Sequence, residues 1–181
     1  MAGPGPVSDR LPLFPEVFAP LTRSVEKQLP LLFDDGEGVA LAVGRGWIIA
    51  GPRRGVPRVN EAWQHLGWTL PPLLTQVARA ADGLGPLQGV PGWFEDGILP
   101  VEAMEPLIAR VRFGEENILY EPQDWLRFHS DGLGGGWCAH RDGERAARWD
   151  AGSHALGPPI LLQGALSALV ARWVALLGQS R

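Results

Sequence analysis

The sequence predicts an α+β fold in which a mixed or mostly antiparallel sheet packs against helices. Three short runs in the C-terminal half, residues 125–128, 137–140 and 145–149, are separated by turns rich in Gly and Asp. This spacing is typical of a three-stranded antiparallel meander. Residues 160–177 predict an amphipathic helix that covers the meander, because apolar side chains recur there at the spacing of one helix face. Those inward positions are Leu162, Leu166, Leu169, Val170, Trp173 and Leu177.

The N-terminal third predicts a helix followed by a β-hairpin. Apolar residues recur near every 3.6 positions over residues 15–29, and Pro15 suits a first helical position. Two β-rich runs, residues 39–43 and 47–50, flank the tight-turn sequence Gly44-Arg45-Gly46.

The domain organisation follows from a Gly- and Pro-rich stretch at residues 51–57, which predicts a boundary. We expect a mobile tail at residues 1–10, a helix and β-hairpin extension at residues 11–57, and a main domain at residues 58–181 that folds without the extension.

The middle of the chain predicts two helices and a long loop. Asn60 suits the cap of a short helix with Val59, Trp63 and Leu66 on one face, and Gly67 suits its end. A second helix is expected from Pro71-Pro72 to Asp82-Gly83, with Leu73, Leu74, Val77 and Ala81 facing inward. Residues 84–97 predict a loop, and residues 100–108 predict one or two helical turns broken at Pro106.

Charge and composition restrict the class of partner. The 181 residues include 16 basic and 20 acidic side chains, which gives a net charge of −4, so nucleic acid and anionic membranes are disfavoured as partners. The first nine residues have neither the basic nor the continuous apolar region of a secretory signal. A single cysteine permits no internal disulfide, which is consistent with a reducing compartment. We therefore predict a soluble, cytoplasmic protein.

Residues 59–83 resemble the opening of the SUKH superfamily, which includes fungal cell-wall-synthesis regulators and bacterial immunity proteins. The shared features are a short helix ending in Leu66-Gly67, then Leu70-Pro71 before a second helix, then Asp82-Gly83. The order strand, Asp- and Gly-rich turn, two strands and closing helix continues the resemblance to about residue 177. Arg127 stands where a proline is common in the family, and residues 1–57 have no counterpart.

This resemblance implies an α+β fold, no catalysis, no cofactor, and a role in binding other proteins, often toxins in bacterial members. The negative charge of the chain would suit a basic toxin such as a nuclease. The resemblance thus predicts a non-enzymatic protein-binding module, with an immunity protein or a regulatory scaffold as its specific forms.

The rival prediction is a small enzyme or a metal- or ligand-binding domain that uses Cys138 and His140. These two residues share one face of a predicted strand, and His129 and His154 are the other histidines nearby. Their spacing matches no zinc finger, knuckle or HExxH pattern, and no Gly-x-Ser-x-Gly elbow occurs. We therefore predict no metal site and a buried Cys138.

The predicted partner-binding residues lie in and beside the Gly- and Pro-rich loop at residues 89–97. Trp93 and Phe94 would be its apolar anchors, and Glu95, Asp96 and Asp131 its charged rim. The alternative is that Trp93 folds back onto the core. Four other tryptophans, which lie on the inward faces of predicted elements, are expected in the core: Trp63, Trp137, Trp149 and Trp173.

Overall fold

Helices and antiparallel strands make up the part of the chain that the computed structural model describes, residues 14–27, 31–34, 39–43, 46–51, 61–87, 96–107 and 124–178. The predicted α+β class is confirmed. The helices, numbered in chain order, are α1 (Ala19–Lys27), α2 (Glu61–Gln64), α3 (Pro72–Ala80) and α4 (Leu162–Gly178). Single 3-10 turns lie at Glu16–Phe18, directly before α1, and at Val101–Ala103.

The described strands form two sheets in which every pairing is antiparallel. The first sheet has the order β1-β2-β3-β4-β5-β8, built from β1 (Leu31–Asp34), β2 (Val39–Val43), β3 (Gly46–Ala50), β4 (Leu84–Leu87), β5 (Gly97–Ile98) and β8 (His129–Ser130). The second has the order β11-β10-β9-β7-β6, with β12 also paired to β10. Its strands are β6 (Glu105–Pro106), β7 (Trp125–Arg127), β9 (Gly136–His140), β10 (Arg145–Asp150), β11 (Ala155–Leu156) and β12 (Ile160–Leu161).

The predicted meander is present as β7, β9 and β10, with Arg127 opposite Cys138 and Arg148 opposite Trp137. Between β7 and β9 the chain leaves the second sheet. It passes through the fully buried Phe128, adds β8 to the first sheet, and returns at Gly136. Residues 125–140 therefore join the two sheets.

The main core lies between α4, α1, α3 and the sheets. All six predicted inward positions of α4 are buried, and so are Leu74 and Val77 of α3. The second sheet is covered on both faces, because Leu126, Ala139 and Ala146 join the main core while Trp125, Cys138 and Trp149 belong to a smaller cluster on the other face. Of the tryptophans expected in the core, Trp63, Trp149 and Trp173 are buried and Trp137 is half-buried.

The N-terminal helix and hairpin are both present: the helix packs into the main core, and the hairpin extends the first sheet. Val43 pairs with Gly46 at the hairpin turn, and β3 continues the sheet by pairing with β4 from Ala50 opposite Leu84 to Trp47 opposite Leu87. Helix α1 packs against α4, and Phe18, Leu21 and Val25 are buried in the main core. The boundary predicted at residues 51–57 therefore does not divide the core.

Three local predictions differ from the structure. Residues 84–87 form β4, although the sequence predicts a loop there. The prediction differs because Gly85 and Pro86 mask the apolar pattern of a strand. After the 3-10 turn at Val101–Ala103 the chain forms β6 rather than more helix. Leu66, predicted to face inward, is exposed because α2 already ends at Gln64.

The end signals of the two middle helices are confirmed. Gly67 adopts a φ of +71° after α2, where a side chain would be strained. Asp82 ends the α3 region, and its buried carboxylate accepts a hydrogen bond of 2.8 Å from the Val101 backbone N–H. The predicted cap Asn60, its neighbour Val59 and the predicted mobile tail lie outside the described residues. None of the described helices is long and apolar enough to cross a membrane.

Candidate functional site

The pairing of β5 with β8 brings two predicted partner-binding residues together. Gly97 lies opposite Ser130 and Ile98 lies opposite His129. Because the strands are antiparallel, Asp96 and Asp131 occupy the same end of this strand pair. The other three predicted binding residues, Trp93, Phe94 and Glu95, lie outside the described residues. They directly precede Asp96 in the sequence.

Asp96 is buried rather than part of an exposed rim, with 7% of its surface accessible. Its Oδ1 lies 2.7 Å from Nε2 of His129, which is itself 2% exposed, and its Oδ2 lies 3.0 Å from a guanidinium nitrogen of Arg172 on α4. This carboxylate therefore links β5, β8 and α4. The expectation that Asp96 is a rim residue is wrong, because burial removes its carboxylate from the surface that a partner could reach.

The hydrogen bonds of His129 fix its tautomer. The Trp137 backbone N–H donates to Nδ1 over 3.4 Å, so Nε2 carries the proton that is donated to Asp96. Both ring nitrogens are occupied, which leaves the ring no nitrogen to accept a proton from a substrate. Burial acts to raise the pKa of Asp96, but the hydrogen bond from His129 and the positive charge of Arg172 outweigh it, so the pKa is lowered.

Asp131 organises the turn at residues 131–135, which we call the glycine turn. Its Oδ1 accepts hydrogen bonds from the backbone N–H groups of Leu133, at 2.9 Å, and Gly135, at 3.0 Å. Its own N–H donates to the Gly135 carbonyl at 3.2 Å, and its Oδ2 lies 3.8 Å from Arg148. Asp131 is half-buried, so part of its carboxylate stays accessible.

Arg127 supports the glycine turn from beneath, a role that sequence reasoning missed. Its side chain is buried, and Nη1 lies 3.5 Å from the carbonyl oxygens of both Gly134 and Gly135. Nη2 forms a 2.8 Å ion pair with Glu105, the residue opposite Arg127 on β6. The available signal was a charged residue within the otherwise apolar run Trp125-Leu126-Arg127-Phe128, because a charge in a buried strand needs a partner.

Leu133 projects from the glycine turn with 88% of its surface exposed, more than any other large hydrophobic residue whose burial the structure describes. Gly132 and Gly134 flank it with φ values of +78° and +91°, conformations in which a side chain would be strained. The backbone on both sides of Leu133 is therefore set by glycines and hydrogen bonds.

The rival site near Cys138 is closed in the described structure. Cys138 is fully buried in the smaller core cluster, as predicted. The ring of His140 packs edge-on against Trp125 at 4.8 Å between ring centres, and its Nδ1 lies 3.0 Å from an Asp142 carboxylate oxygen and 3.1 Å from Arg145. Asp142 accepts hydrogen bonds from the N–H groups of Glu144 and Arg145, so these groups stabilise the β9–β10 turn.

No cluster of three or more His, Cys, Asp or Glu side chains in the described ranges is placed to hold a metal ion. Comparison with known proteins gave no match to any protein-family model, curated protein or solved structure.

Proposed function

We propose that this chain is a non-enzymatic protein-binding module, and that its specific role is to neutralise a basic toxin as an immunity protein. The observation that carries the proposal is the β5–β8 register. It brings the end of the aromatic segment at residues 89–97 beside the glycine turn with its exposed Leu133. Exposed apolar residues beside charged groups are the usual composition of a protein interface.

Two further observations support binding rather than catalysis. The histidine at this end of the first sheet has both ring nitrogens engaged, and Cys138 is buried away from solvent. The resemblance to the SUKH superfamily in residues 59–83 and in the strand and helix order gives independent support. The net charge of −4 favours a basic partner, because opposite charges speed association.

Affinity capture from an extract of cells that naturally express the protein tests this proposal. The immobilised full chain should retain a protein partner that the variant with Trp93→Ala and Phe94→Ala loses. Leu161→Ala is the matched control, since Leu161 is an exposed leucine near the opposite end of β10, paired with Arg145. Retention that is unaffected by the aromatic substitutions, or affected equally by Leu161→Ala, would contradict the proposed site.

Thiol labelling separates this proposal from the rival enzyme. A catalytic thiol must be accessible as a thiolate, so a cysteine enzyme would react with an aromatic disulfide reagent in native buffer. We expect Cys138 to react only after denaturation, with the guanidinium-unfolded chain as the control for full labelling. Rapid stoichiometric labelling of the native protein would favour the rival.

A further inference from the structure

We infer that the glycine turn is a preformed binding element that inserts Leu133 into an apolar pocket on a basic protein partner. This inference rests on the proposed function and adds a contact to the same site. Leu133 does not belong to the predicted set of partner-binding residues, and no packing role in the described structure accounts for it.

The glycine turn is held from two directions. Asp131 accepts from two backbone N–H groups within the turn, and Arg127 donates to two of its carbonyl groups from the buried side. Arg127 is in turn held by Glu105. A contact segment that is ordered before association loses less conformational entropy on binding, so such a turn is suited to recognition.

The apolar side chain of Leu133 is exposed to water. A single exposed leucine is common on protein surfaces. Leu133, however, lies at the centre of a turn whose conformation is set by glycines and polar groups and would form without a leucine at this position. Burial of a leucine side chain is favourable, so a partner that covers Leu133 would gain affinity without reorganising the turn.

The charges around the glycine turn favour a basic partner. Because Gly136 pairs with Trp149, Asp150 lies beside the end of the turn. Hydrogen bonds from the N–H groups of Ser153 and Gly152 lower the pKa of the exposed Asp150, so it is charged at neutral pH. Arg127 is buried beneath the turn and paired with Glu105, so the accessible charges beside Leu133 in the described structure are the carboxylates of Asp131 and Asp150 and the guanidinium of Arg148.

The closing experiment measures capture of the same extract partner by Leu133→Asp, with Leu161→Asp as the matched control. Both leucines are exposed, at 88% and 67%, so both variants should keep the Tm of the wild type. We expect Leu133→Asp to weaken retention by about thirtyfold or more, on the scale of an interface hot spot, and Leu161→Asp to leave it unchanged. If Leu133→Asp binds like the wild type while the Trp93 and Phe94 variant does not, this inference is overturned and the proposed function stands.

A second pair of variants tests the preformed turn itself. Asp131→Asn keeps an oxygen that accepts both backbone N–H groups, whereas Asp131→Ala removes it. We expect Asp131→Asn to weaken retention, because it removes one carboxylate beside Leu133, and Asp131→Ala to weaken it further, because it also removes the acceptor that holds the turn. Equal retention by both would overturn the claim that the turn must be preformed. Sedimentation of the wild type and Leu133→Asp checks the other occupant: a dimer that only Leu133→Asp dissociates would place Leu133 against a second copy and overturn the inference.

Discussion

At the scale of single residues, the clearest feature is the buried carboxylate of Asp96. A buried charge is tolerated only when other groups solvate it, and here a histidine N–H and a guanidinium do so. Each of these groups comes from a different element, β8 or α4. Asp96 therefore stabilises the position at which the aromatic segment joins the first sheet.

Asp96→Asn is expected to destabilise the protein in a pH-dependent way. The folded pKa of Asp96 is lower than its unfolded value, so its stabilising contribution is present above about pH 4 and is lost as the pH falls through the folded pKa. At pH 7 the free energy of unfolding of the variant should be about 1–3 kcal/mol lower than that of the wild type, which is the scale of a hydrogen bond to a charged group. Chemical denaturation at pH 7 and at pH 3 measures both differences.

The difference between the two proteins should shrink at pH 3. Glu102→Gln serves as the control, because Glu102 is an exposed acidic residue on the 3-10 turn at Val101–Ala103. A difference that stays the same at both pH values would mean that the charge of Asp96 does not contribute to stability.

At the scale of elements, the junction between β8 and β9 determines the shape of the candidate site. Gly136 has a φ of +145°, and a Cβ placed on it would lie 1.8 Å from the His129 carbonyl oxygen. The chain can therefore pass from one sheet to the other only with glycine at this position. The glycine turn owes its position to this crossing.

Gly136→Ala should cost at least about 2 kcal/mol in the free energy of unfolding, because the Cβ meets backbone rather than a movable side chain. Gly178→Ala is the matched control. Gly178 ends α4, and a Cβ there meets nothing within 4 Å. Thermal unfolding of both variants measures the contrast, and equal Tm values would show that the junction tolerates a side chain.

The elements that the sequence predicted correctly are those with a long or regular apolar pattern. The six inward positions of α4 recur over four turns, and the meander strands are separated by unmistakable turn residues. Leu84 of β4 is buried, but the Gly85-Pro86 that follows it has the composition of a turn. Its strand conformation comes from β3 and β5 on either side, a tertiary effect that local composition does not carry.

The candidate site was predicted only in part for the same reason. Asp131 lies in a turn that the sequence identifies, so its location could be predicted. The burial of Asp96 depends on His129, 33 positions away, and on Arg172 of α4. No local pattern predicts which of two neighbouring acidic residues, Glu95 or Asp96, meets a buried histidine.

At the scale of the whole molecule, the N-terminal helix packs into the main core and the hairpin extends the first sheet. Strand β3 pairs with β4 from Trp47 to Ala50, and the first 3-10 turn and α1 together bury Phe18, Leu21 and Val25 in the main core. If residues 58–181 folded alone, as the sequence predicts, the first sheet would therefore lose three strands.

A chain that starts at Gly55 is expected to lose cooperative folding. Burial of Phe18, Leu21 and Val25 contributes about 1.5–3 kcal/mol each, a large share of the 5–15 kcal/mol that typically separates folded from unfolded domains. Differential scanning calorimetry of the truncated chain and of the full chain compares the cooperativity of their thermal transitions. A sharp transition near the Tm of the full chain would instead support an independent domain from residue 58.

We propose that the protein acts by binding another protein at the end of the first sheet where the glycine turn lies beside the aromatic segment at residues 89–97. The most direct measurement is the Tm and the partner affinity of one variant, Trp93→Ala. If Trp93 is an interface anchor, the Tm should stay nearly unchanged while binding weakens by about 2 kcal/mol or more. If Trp93 is a core residue instead, the free energy of unfolding should fall by about 3–5 kcal/mol while the folded fraction binds as the wild type does. That result would contradict the proposed binding site.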